Sequence, residues 1–318
     1  MSDAATGAQH RRVLRWAAAS AVLLALAGYL AVRNDADTGA PVCVVRGGTG
    51  EGAPRYELTP AMAANAATIS AVGTGRGLPE RAVTIALATA LQESALRNID
   101  YGDRDSLGLF QQRPSKGWGS PEQILDPVYA AGKFYDGLVD VPGYARLPLT
   151  VAAQRVQRSG FPQAYAKHEP DAALLAAALT GRAGATLSCV PGAASRAGDP
   201  ERVRAALARE FGPGVLPGNG AGRGAAAREI LLSVPPGPAP AAGAGAARDT
   251  AGDGVAGSRR GWELAHWAVA RADGLRIEKI AYGGKVWSAG SAREGWRPAA
   301  PGADPDRDRD AVRLRIAR

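Results

Sequence analysis

"ALQESALRNIDYGDRDSLGLFQQRP", residues 90–114, sets one carboxylate, Glu93, in an alanine- and leucine-rich run and follows it with a polar loop. The run begins upstream at "LPERAVTIALAT", residues 78–89. Pro79 and Glu80 stand at a helix start, and Val83, Leu87, Ala90 and Leu91 recur at helical spacing. On that helix Glu93 shares a face with Ala86, Thr89 and Ala90. Small neighbours leave an open floor beside a carboxylate, and the nearby leucines desolvate it. Desolvation raises a carboxyl pKa and makes the group a proton donor near neutral pH. An ordinary solvent-facing helix glutamate fits the same residues, and Thr89 would suit that wet face. In the loop, Gly102 and Gly108 suit tight turns. Asp103 and Asp105 suit either a second acid or local capping of the loop backbone.

Working outward, the chain reads as largely helical between residues 57 and 190. "LTPAMAANAATISAVG" (58–73) has Thr59 as N-cap, Pro60 after it and Gly73 as a stop. "DPVYAAGKFYDGLVDV" (126–141), "LTVAAQRVQRS" (149–159) and "EPDAALLAAALTG" (169–181) are further amphipathic helices. Residues 34–56 read as a short Gly-rich tether. Residues 191–258 read as a Gly/Ala/Pro-rich linker with a short helix at about 200–211 and a weak apolar stretch at "AREILLSV". Residues 259–318 change character: "GWELAHWAVARADG" is helical, "LRIEKIAYGGKVWSAG" is a hairpin about Gly283-Gly284, and "DAVRLRIAR" is a closing strand. The fold expected is a mainly α domain at 57–190 followed by a small α+β domain at 259–318.

Glu93-Ser94 followed by Ser106, Gly108, Leu109, Phe110 and Gln111 resembles the lysozyme-like superfamily of goose-type lysozymes and soluble lytic transglycosylases. In that family a helix-borne Glu-Ser precedes a loop reading Ser, spacer, Gly-Leu-(Met or Phe)-Gln. The resemblance spans roughly residues 65–181. It implies a lysozyme-like helical fold and cleavage of peptidoglycan glycan strands, with Glu93 as general acid and then base. It also implies a substrate groove drawing on Ser94, Ser106, Gly108, Phe110, Gln111 and Gln112. Asp103 or Asp105 would be a second acid if water attacks, and no cofactor is implied. The family's Ala-Tyr-Asn-like segment is absent as such. Gln154 or Gln157 in "VAAQRVQRSGFPQAY" would replace its polar side chain, and Tyr165 lies too far on to align. Beyond the motif, Trp118 can stack on a pyranose or serve the core, and Arg113 and Lys116 can meet peptide carboxylates.

The N-terminus bears on location. "HRRVLR" precedes an uncharged stretch from Trp16 to Val32, and "RNDAD" follows. As a helix that stretch reaches about 25 Å, at the short end for a bilayer span. The flanking charges predict a single-pass signal anchor over residues 1–33, with the body outside the cytoplasm. Cleavage near Ala27, giving a secreted protein, is the alternative. In that oxidising setting Cys43 and Cys189 are expected to form a disulfide, two separate buried thiols being the other reading.

The formal charge of +8 suits an anionic partner, but the arginines are dispersed and no aromatic-interleaved basic motif accompanies them, which argues against nucleic acid. The three histidines, His10, His168 and His266, are too scattered for a metal site. One apolar segment forms no transport path. The partners expected are peptidoglycan, the membrane through the N-terminal helix, and envelope proteins through residues 259–318. The rival to the enzyme reading is a catalytically inactive lysozyme-like protein that binds wall or scaffolds the envelope.

Overall fold

The computed structural model describes residues 40–48, 50, 52–159, 163–192, 196–216, 228–234, 258–300 and 311–318. The expected anchor, residues 1–33, lies outside them. Among the described residues no helix is long and apolar enough to cross a membrane.

The chain begins with two short strands, β1 (Val42–Arg46) and β2 (Arg55–Leu58), where the sequence suggests a tether. Helices α1 (Pro60–Gly75) and α2 (Glu80–Ser94) follow. Thr59 caps α1, its Oγ1 accepting from the Met62 N–H at 3.2 Å. The helix runs past the expected stop at Gly73. That glycine serves packing instead: a Cβ there would stand 2.6 Å from the Tyr135 hydroxyl, which donates to the Ile69 carbonyl at 3.0 Å. After the polar loop come the single-turn α3 (Pro121–Ile124), α4 (Pro127–Val139), α5 (Leu149–Gln157) and α6 (Glu169–Leu179). Helix α2 lies among α1, α4, α5 and α6, with Val83, Ile85, Leu87 and Leu91 buried.

Strand β3 (Leu187–Val190) returns beside β1, giving an antiparallel sheet in the order β2-β1-β3. Cys43 and Cys189 are direct cross-strand partners and form a disulfide. Helix α7 (Pro200–Phe211) follows, capped by Asp199. The weak apolar stretch within the expected linker forms strand β4 (Glu229–Ser233), with Ile230 and Leu232 buried and Leu231 exposed.

The remainder is helix α8 (Arg259–Leu275) and strands β5 (Ile277–Tyr282), β6 (Lys285–Ser288), β7 (Arg297–Pro298) and β8 (Ala311–Ile316). They make a five-stranded antiparallel sheet in the order β4-β8-β5-β6-β7. Gly283 and Gly284 both take positive φ between β5 and β6, the backbone a two-residue hairpin turn requires. The protein is therefore a helical body plus a small C-terminal α+β portion. Helix α8 joins them. It packs on β5 behind it and on α1, α6 and β3 in front, burying Trp262, His266 and Trp267. His266 spends Nδ1 on the Ala178 carbonyl of α6 at 2.8 Å, and burial pushes its pKa down to about 4. The described residues from Pro41 to Arg318 group into one compact unit.

Candidate active site

Glu93 sits in the last turn of α2. The helix ends there because Ala95 turns left-handed (φ 54°), its N–H accepted by the Leu91 carbonyl at 3.0 Å. The carboxylate lines a groove of about 1010 Å³. One wall is the loop after α2, through Asp103, Ser106, Gln111, Gln112 and Trp118. The other is the end of α4 and the C-terminal half of α5 with the residues after it, including Asp140 and Gln157. The expected open floor of small residues does not form. Ala86 and Ala90 are fully buried, and Thr89 is buried with its hydroxyl donating to the Ile85 carbonyl at 2.7 Å. These small side chains let neighbouring helices close on α2, and the groove opens beside the helix end instead.

Burial raises the Glu93 pKa above the ordinary carboxylate value. Hydrogen bonds from Tyr165 and Gln157 oppose the rise without cancelling it. The Tyr165 hydroxyl donates to Glu93 Oε1 at 2.7 Å. Tyr165 is itself fully buried, and burial together with the Glu93 charge raises its own pKa, so it stays a neutral donor. Its role escapes sequence reasoning, since it lies outside the motif segment and fits no family spacing. A pairing of Glu93 with a tyrosine across 72 residues leaves no local signature.

The motif residues divide into groove and brace. Ser94 does not face the groove: its hydroxyl donates to the Leu109 carbonyl at 2.8 Å and the Ala90 carbonyl at 3.1 Å, tying the loop to α2. Phe110 is core, stacked on Phe134 with ring centroids 4.7 Å apart. Gly108 has φ 73°, and a Cβ there would stand 2.7 Å from the Ile124 carbonyl, so the loop needs glycine at that point. Gln112 lines the groove but is nearly buried; its amide donates to the Ala130 carbonyl at 3.1 Å. Gln157 lies against Glu93 and donates to the Phe110 carbonyl at 2.7 Å, locking α5 onto the loop. Gln154 stays off the groove and donates to the Ser159 carbonyl at 2.8 Å.

The two aspartates part company. Asp105 accepts from Arg113 Nε at 2.7 Å and from the Ser115 N–H at 2.8 Å. These bonds hold its carboxyl well below the usual range, so Asp105 is a loop brace and no proton donor. Asp103 is on the groove and exposed, and Asp140 adds a carboxylate that the sequence does not single out. Among the described residues no group of three His, Cys, Asp or Glu side chains stands where it could hold a metal ion.

Backbone strain gathers here. Arg104, Gln111 and Arg158 have positive φ and line the groove, and Ala95 and Leu96, also at positive φ, end the helix that carries Glu93. Non-glycine residues held in that region concentrate at functional sites.

Comparison with known proteins bears on a different part of the chain. Residues 225–309 match the family described as the VldE C-terminal domain. The match covers β4 and the stretch from α8 to β7, and leaves Glu93 and its groove outside it. No curated protein matches the chain.

Proposed function

We propose that the groove cleaves peptidoglycan glycan strands, with Glu93 as the catalytic acid and base. The observation that carries this reading is a carboxyl of raised pKa, steadied by a buried tyrosine, lining a groove large enough for several sugar-sized groups. Partly exposed Trp118 offers a face for pyranose stacking, and Gln111, whose amide N–H groups donate to the Tyr101 and Gly108 carbonyls at 3.4 and 3.3 Å, offers its amide oxygen to an N-acetyl N–H. The lysozyme-like motif agrees with the same assignment. In the first step the Glu93 carboxylic acid gives its proton to the glycosidic oxygen as the C1–O bond breaks, leaving an oxocarbenium-like centre. In the second, the Glu93 carboxylate takes a proton from the nucleophile that closes on C1. If that nucleophile is the sugar's own 6-hydroxyl, the product is a 1,6-anhydro end; if water, a reducing end. The raised pKa suits both steps: it favours the acid form that the first step needs and makes the carboxylate a stronger base for the second.

The reading also places the body outside the cytoplasm, where the Cys43–Cys189 bridge persists and the wall polymer is found. The test is mass analysis of peptidoglycan products released by the wild type and by Glu93→Gln. Muropeptide release by the wild type should fall at least about a hundredfold in the variant, the scale of a lost general acid. Unchanged release by the variant rejects Glu93. No release by folded wild type on walls of several compositions leaves a glycan-binding protein as the reading.

A further inference from the structure

The charge of the groove is lopsided. Its carboxylates are Glu93, Asp103 and Asp140, whereas five cationic side chains line it. Two of these are occupied: Arg113 by Asp105 at 2.7 Å, and Arg104 by Asp103 at 4.0 Å. Lys116, Arg155 and Arg158 are exposed, and among the described residues no carboxylate pairs with them.

These three sit on both walls. Lys116 belongs to the loop that also carries Gln111 and Trp118. Arg155 and Arg158 flank Gln157, whose amide lies against Glu93. Arg158 is the C-cap of α5 at φ 51°, a position where glycine is the unstrained choice. A helix C-terminus favours a nearby cation, which accounts for one positive charge there. It does not account for a strained arginine aimed at the groove, a second arginine beside it, or a lysine on the facing wall.

The rings of an N-acetylated glycan carry no charge, so unpaired cations gain nothing from the sugar backbone. They gain from anions attached to it. We propose that Lys116, Arg155 and Arg158 select glycan strands bearing anionic substituents over neutral strands. The proposal rests on the glycan reading and sharpens it. Two sources supply the anion: carboxylates of peptides attached to the strand, or phosphates of a polymer attached to it.

The experiment uses the full chain carrying Glu93→Gln to stop turnover, with and without Lys116→Gln, Arg155→Gln and Arg158→Gln together. Binding is measured to intact peptidoglycan, to peptidoglycan stripped of peptides with the lactyl carboxylates so exposed converted to amides, to peptidoglycan stripped of phosphate, and to chitin as the neutral strand. Intact wall should bind about tenfold tighter than chitin at low salt, the scale of a few exposed ion pairs, and the gap should shrink as salt rises. The triple substitution should close the gap while leaving chitin binding unchanged. Loss on removing peptides assigns the carboxylates; loss on removing phosphate assigns the phosphates. Equal binding to intact wall and chitin, or a gap that survives the triple substitution, overturns the proposal alone. Absence of binding to every polymer overturns the glycan reading with it.

Discussion

At the residue scale the site turns on one hydrogen bond. Glu93 is drawn toward its neutral form by burial and back toward its charged form by the Tyr165 hydroxyl at 2.7 Å. On the proposed reading Glu93 must be protonated to donate, so kcat/KM on a soluble glycan substrate should fall as pH rises through its raised pKa. Tyr165→Phe removes a stabiliser of the carboxylate and should move that alkaline limb upward by roughly one pH unit, the worth of one hydrogen bond to a charged group. The maximal rate should also fall about tenfold, because the carboxyl loses its orientation. A limb that stays put or moves down rejects the link. The sequence made Glu93 and Gln111 legible, because the helix and the loop that carry them are continuous and their spacing is local. It could not tell Gln111 from Phe110 or Ser94, since groove and brace residues share one motif and only packing separates them. Tyr165 was out of reach for the opposite reason: its partnership is entirely non-local.

At the scale of elements, the helices were readable and the strands of the first sheet were not. Helix α1 shows Thr59 and Pro60 at its start, and α2 carries apolar residues at helical spacing for four turns. Strands β1, β2 and β3 are four or five residues long, too short for alternation to stand out, and β1 meets β3 only after the whole helical body intervenes. Their Gly-rich connection makes the segment look like a tether. Such a sheet holds little by itself. The Cys43–Cys189 bridge, closing a sequence separation of 146, ties its strands β1 and β3 to each other across the ends of the helical segment. Chain entropy alone assigns a loop of that size about 5 kcal/mol, and measured bridges commonly give less. Cys43→Ser with Cys189→Ser should therefore lower unfolding free energy by about 3 kcal/mol in urea titrations. A thiol reductant should destabilise the wild type to the same level and leave the double variant unmoved. Below its new midpoint the variant should keep wild-type turnover, since no residue of the sheet lines the groove.

At the scale of the whole molecule, the helical body and the C-terminal sheet are clasped by one buried carboxylate. Glu210 of α7 accepts from Arg271 at 2.7 Å and from the Trp267 indole at 2.7 Å, both on α8, and from the Thr68 hydroxyl of α1 at 3.0 Å. This join is invisible in the sequence. Residues 259–318 read as a small α+β domain following a linker, and nothing in the sequence says that Trp267 reaches across to Glu210. Since α1 also packs on α2, the clasp supports the helix that carries Glu93. Burial raises the Glu210 pKa, and Arg271 is the largest influence in the other direction. Arg271→Met leaves the carboxylate buried without its cation, a change that costs about 3 kcal/mol or more when the group is ionised. The folded pKa of Glu210 then rises further above its unfolded value. The folded state accordingly takes up a proton more readily than the unfolded one, and stability lost at neutral pH returns as pH falls through that raised value. Urea titrations of the variant should show the full deficit at pH 7.5 and a much smaller one near pH 4.5, both relative to wild type at the same pH. Adding Glu210→Gln should remove the pH dependence, and a deficit flat across this range would show that Arg271 acts through packing rather than charge.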